Sequence, residues 1–346
     1  MTRETLFRAL FALALIAPGC GESRPEATSP RPAAMRADTP APTAARPEPR
    51  RSEPPPGLAP RASRPAARPA PRPALPAVAV PTTAEAAKRY PWPRRRPAYE
   101  SVASRFPAPA RFARVTVKPN SYAEWLRHLP LLPKGTPVRD HAGGKLVGAT
   151  AAAAAVIDLD VGRRDLQQCM DTLMRLRGEY LWWRKQAHKT RFRYAGGKYF
   201  GWAQWSRGIR PQRQGRRIVY VPQARAAHGR QSFRRYLTFM FMMTGTVHNT
   251  REPHVAYKDL AAGHFFVQPP PSPGSLGHAV VILDVARNRS GEVRALLGEG
   301  YTPAQDLHVL TAGPGRAWYR LDPAQGVQTP QWPVPFTWKQ LRRFRY

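Results

Sequence analysis

The chain has 346 residues, 40 of them proline and only 2 cysteine, with 55 Lys and Arg against 22 Asp and Glu, a formal net charge of +33. Two cysteines exclude a disulfide-built scaffold. A charge this basic attracts nucleic acid, acidic lipid or acidic glycan, but the chain has no helix-turn-helix, RNA-recognition or zinc-finger spacing, so no nucleic-acid partner is expected.

Arg3 and Arg8 precede an unbroken apolar run at 10–17, and Pro18-Gly19-Cys20 follows. The run is too short to cross ~30 Å of hydrocarbon and reads as a cleaved export signal. A cysteine directly after that site resembles a bacterial lipobox, which implies removal of residues 1–19 and lipidation of Cys20. The expected location is the cell envelope, with the bilayer as partner through Cys20. Cys169 is then an unpaired thiol in an exported protein.

Residues 20–89 are dominated by Pro, Ala, Arg, Ser and Thr, and about half of the prolines lie before Ala98. Such a segment buries too little apolar surface to offset its ordering entropy. It is expected to be a disordered tether with polyproline character, reaching about 200 Å at ~3.1 Å per residue. Its unopposed arginines suit an anionic envelope polymer.

Residues 90–346 carry the aromatic residues and the periodic patterns of one globular domain. A strand is expected at 112–118. Ser121 and Glu124 form a capping-box signal for a helix through 129. Gly143-Gly144 marks a turn, and 152–161 a strand. Leu166, Cys169, Leu173, Leu176 and Tyr180 recur at helical spacing, predicting a helix over 165–183 with Asp165 as its N-cap. Short strands are expected at 191–194 and 218–221, and an apolar helix at 231–243. Strands then follow at 265–268, 278–285, 293–301, 307–310 and 318–321. The order predicts an α+β fold in a papain-like arrangement, its long Cys-bearing helix packed on a mostly antiparallel sheet.

Three blocks also resemble a bacterial family known as domain of unknown function 4846. They are Asp165-Leu166-Gln167-Gln168-Cys169 with Arg175-Leu176-Arg177-x-Glu179-Tyr180, then Gly277-His278-Ala279-Val280-Val281-Ile282-Leu283-Asp284-Val285, then Leu296-Leu297-Gly298-Glu299-Gly300-Tyr301-Thr302-Pro303-Ala304-Gln305-Asp306. Block order and spacing agree over most of 90–346. Glu299 stands where the family has glutamine, and His264 where it has a Gly-Asp pair. The resemblance implies a lipoprotein, in keeping with Cys20, and assigns no activity.

The residues themselves suggest one. A thiol near a helix N-terminus beside an imidazole is a candidate nucleophile. Cys169 fills that position, His278 opens a strand as candidate base, and Glu299 or Tyr301 on the returning strand is the candidate orienter. Gln168 or Gln167 is a candidate oxyanion donor. The expected activity is hydrolysis of an amide bond in a cell-wall peptide or envelope protein, without metal or cofactor. Two other readings stand beside it. Cys169 lies on an apolar stripe and equally suits an inert core position. A non-enzymatic lipoprotein would instead hold glycan or acidic lipid through its basic surface and the Trp202/Trp205 segment.

Overall fold

The computed structural model describes residues 82–92, 100–194, 197–215 and 217–345. The chain divides into two units, Met1–Ala70 and Pro71–Tyr346. The first, with the export signal, Cys20 and most of the expected tether, lies outside the described residues.

In chain order the helices are α1 (Thr83–Arg89), α2 (Val102–Arg105), α3 (Tyr122–Arg127), α4 (Val147–Ala152), α5 (Cys169–Trp183), α6 (Trp202–Trp205), α7 (Arg230–Met243) and α8 (Thr246–Asn249). The strands are β1 (Ala113–Arg114), β2 (Ala153–Val156), β3 (Arg191–Arg193), β4 (Tyr199–Gly201), β5 (Ile209–Gln214), β6 (Arg217–Pro222), β7 (Phe265–Gln268), β8 (His278–Arg287), β9 (Val293–Glu299), β10 (His308–Leu310), β11 (Trp318–Leu321) and β12 (Leu341–Arg342). The fold is α+β. Its main sheet has the order β12-β7-β8-β9-β10-β2, with β1 joined to β8 and β11 to β9. Every pairing among these strands is antiparallel. No helix of the described residues is long and apolar enough to cross a membrane.

Strands β8 and β9 are buried along nearly their whole length. Val281 and Leu283 join the core under α5 and α7, whereas Val280, Ile282 and Leu297 pack on the opposite face with Phe266 and Phe336. Helix α5 lies across β8, and its Gly178 lets Leu237 and Phe233 of α7 approach closely.

Several elements differ from expectation. The Cys-bearing helix begins at Cys169, not at Asp165. Gln168 is its N-cap, with its N–H donated to Asp171 Oδ2 at 3.3 Å. Asp165 lies outside the helix and accepts from Ala304 N at 2.7 Å. Residues 147–152 are helical before β2, and only Ala113–Arg114 of the expected 112–118 strand pairs. Helix α1 falls within the segment expected to be a tether. Its Thr82–Glu85 capping box stabilises its start, Ala86 and Tyr90 enter the core, and Arg89 pairs with Glu124 at 3.0 Å. Ordered structure thus begins before Tyr90.

The β8–β9 hairpin is irregular. Asp284 pairs with Leu296 but Ile282 with Leu297, so Leu283 is an extra residue. Such a bulge reverses the side-chain alternation. Without it Glu299 would stand opposite Val281, on the other face from His278. With it Glu299 comes opposite Val280 and shares the face of His278.

Candidate functional site

Cys169 is the first residue of α5, where backbone N–H groups lack intrahelical acceptors and the helix dipole is positive. Two glycines let the surrounding chain close on it. A Cβ on Gly300 would lie 2.6 Å from Thr172 Oγ1 in the first turn of α5. One on Gly277 would lie 2.2 Å from Thr246 Oγ1 and 2.5 Å from Gln268 O. The sulfur is 3.9 Å from Gly277 O, the carbonyl just before His278. Cys169 keeps 7% of its surface exposed and belongs to the main core cluster. Both sequence-based placements, apolar stripe and neighbour of His278, therefore hold together.

His278 is buried, and its Nε2 lies 2.8 Å from Glu299 Oε2. Burial alone would lower the imidazole's pKa, but hydrogen bonds and charge interactions with Cys169 and Glu299 outweigh it and push it up to about 9. With Nε2 committed to Glu299, Nδ1 is the nitrogen left for the thiol. The ring packs against Tyr301 at 4.8 Å, Trp332 at 5.0 Å and Phe336 at 5.9 Å between centroids.

Glu299 is fully buried. Its second oxygen, Oε1, accepts from Gln331 Nε2 at 2.6 Å. Strand register places His308 directly opposite Glu299. His308 Nδ1 donates to Asp306 O at 3.0 Å, and its Nε2 accepts from the same Gln331 amide at 3.1 Å. Burial lowers the pKa of His308, which keeps it neutral in this role.

Gln168 lies at the same helix end. Its Nε2 donates to Asp165 Oδ1 at 2.9 Å, and its Oε1 accepts from Thr302 Oγ1 at 3.2 Å, leaving one amide hydrogen uncommitted. Gln167 is engaged elsewhere: it donates to Asp160 O at 3.2 Å and accepts from Arg175 Nη1 at 3.1 Å. Trp202 and Trp205 are 5% and 9% exposed and pack on Phe233 and Tyr236, so they anchor the core and offer no sugar-stacking surface. A cavity of about 150 Å³, lined by Tyr122, Arg177, His264 and Arg343 among others, opens near the other end of β7 and includes none of the expected site residues.

The structure thus gathers Cys169, His278, Glu299 and Gln168 at one end of α5. Sequence reasoning missed Gln331 and Trp332. They lie in an irregular Pro-flanked loop with no periodicity to mark them. The loop is closed at its neck by Val327 N donating to Phe336 O at 2.7 Å and Phe336 N donating to Val327 O at 2.9 Å. Trp332 Nε1 donates to Gln268 Oε1 at 2.7 Å and Tyr301 Oη to Gln331 O at 3.1 Å, seating the loop over His278.

Residues 102–343 match the family described as Domain of unknown function (4846). No curated protein and no solved structure matches the chain.

Proposed function

The chain belongs to the family of domain of unknown function 4846, and we propose that in this chain the junction of α5 with β8 and β9 is the centre of a thiol hydrolase cleaving an amide bond. The observation that supports this most is the buried His278, bonded through Nε2 to Glu299 and interacting with the Cys169 thiol. A nucleophile at a helix start, a base and a buried orienting carboxylate, in that chain order, parallel the logic of Cys-His-Asn enzymes. The parallel is one of roles.

In the proposed reaction, Cys169 Sγ attacks the carbonyl carbon and its proton passes to His278 Nδ1. Glu299 holds the ring and stabilises the imidazolium. The backbone N–H of Cys169 and the uncommitted amide hydrogen of Gln168 receive the developing oxyanion. His278 then gives its proton to the departing amine, leaving a thioester on Cys169. Water, deprotonated by His278, attacks the thioester; carboxylate product leaves and the thiol is restored.

The same proposal puts the domain at the cell envelope, anchored by lipid on Cys20, with the chain between Cys20 and α1 as spacer. Peptides of the cell wall or envelope proteins are the proposed substrates, and the +33 charge supports an anionic polymer as partner.

A generic acyl donor tests the chemistry without knowledge of the substrate. Folded protein mixed with p-nitrophenyl acetate should release a burst of p-nitrophenolate and gain one acetyl group on Cys169 by mass spectrometry. His278→Gln should suppress the burst by a factor on the order of 10²–10⁴. Acetylation confined to lysines, and unchanged in Cys169→Ser, would refute the reading.

A further inference from the structure

We infer that Gln331, delivered by the loop at 327–336, is a positioning residue that holds Glu299 in register with His278, and that neutral His308 sets the direction of the Gln331 amide. The inference deepens the thiol-hydrolase reading and rests on it for its functional meaning.

The argument is one of donors and acceptors. Glu299 is sealed from solvent, so each oxygen needs a donor from the protein. Oε2 has His278 and Oε1 has Gln331 Nε2. His308 is too far to serve, its Nε2 lying 3.8 Å from Oε1. It also carries its hydrogen on Nδ1, which donates to Asp306 O. Its Nε2 is therefore an acceptor, and a terminal amide is what satisfies it: Gln331 Nε2 has two hydrogens, one for Glu299 and one for His308. A flipped amide would set its carbonyl oxygen against both a carboxylate and an imidazole lone pair. His308 thus fixes Gln331, Gln331 fixes Glu299, and Glu299 fixes His278. The loop that supplies Gln331 also lays Trp332 against the His278 ring, so one segment close to the C-terminus completes both the polar and the apolar support of the imidazole.

Gln331→Leu and Gln331→Glu test this on the full folded domain by two independent readouts. The first is the NMR titration of the His278 and His308 rings, which needs no reactivity. In Gln331→Leu the His278 midpoint should move from its raised position, because Glu299 Oε1 loses the donor that holds the carboxylate against Nε2. The His308 resonances should also lose the signature of a bonded Nε2. Gln331→Glu keeps the shape but donates only when protonated, so its His278 ring should resemble wild type in acid and depart from it at neutral pH. A merely structural role would not produce that crossover. The second readout is the rate of Cys169 alkylation by iodoacetamide, expected to drop about tenfold or more at neutral pH in both variants. A His278 titration unchanged in both variants overturns the inference, whatever the thiol does. A shifted titration in a protein whose Cys169 never reacts upholds the positioning role and sinks the hydrolase reading instead.

Discussion

At Cys169, helix capping and chemistry meet in one turn. Gln168 is both N-cap and neighbour of the nucleophile, and Asp171, whose carboxyl is pushed well up by burial, closes the cap through Gln168 N. The balance at His278 follows from the same kind of local accounting. Burial opposes the charged ring, yet two acidic partners at hydrogen-bond range win. Replacing Glu299 by Gln keeps the shape and removes the charge. In a protein assayed by thiol alkylation across pH, Glu299→Gln is expected to lower the His278 midpoint and slow Cys169 at neutral pH by about tenfold, one unit of pKa being about 1.4 kcal/mol. An unchanged rate would assign Glu299 a role in packing alone.

At the scale of elements, the site depends on how closely α5 approaches β9 and on the bulge in β8. Gly300 has no room for a methyl group against Thr172. Gly300→Ala is expected to push the start of α5 away and to cost about 1–3 kcal/mol in urea unfolding, the usual range for overpacking, together with a slower Cys169. The bulge is held from the other side by Asp284. Its carboxylate accepts from Arg127 Nη2 at 2.6 Å and Nε at 3.0 Å, and from Arg114 Nε at 2.7 Å. Asp284→Ala leaves the buried Arg127 without its counter-charge and is expected to lose about 3–5 kcal/mol by the same measurement. A loss below 1 kcal/mol would show that the bulge stands without this anchor.

Across the whole molecule, His278, His128 and the half-buried His264 shape the dependence of stability on pH. His278 is raised to about 9 from 6.5, so its contribution is complete below about 6.5 and disappears as pH rises through 9. Burial lowers His128 and His264 to about 4 from the same value, so their contributions are complete above 6.5 and fade as pH falls through 4. Calorimetric Tm should therefore decline on both sides of mildly acidic pH. In His278→Gln the basic limb should flatten while the acid limb persists. Much of this architecture was legible in the chain. The period of Leu173, Leu176 and Tyr180 marked α5, the run Val280-Val281-Ile282 marked β8, and the order Cys169, His278, Glu299 marked the candidate site. The start of α5 was not legible, because Asp165 is the favoured cap by residue type and its contact to Ala304, distant in sequence, holds it outside the helix. Nor was the Leu283 bulge, since a buried strand apolar on both faces gives no parity to read. Gln331 and Trp332 come from a loop whose position depends on partners far away in sequence.

The most direct test of the central claim is the rate of Cys169 alkylation by iodoacetamide in the folded domain, followed across pH in wild type and His278→Gln. The account predicts a reaction that is fast at neutral pH and falls on the order of 10²-fold or more in His278→Gln. A thiol that stays inert until the protein unfolds, or one that reacts equally fast in both proteins, would contradict it.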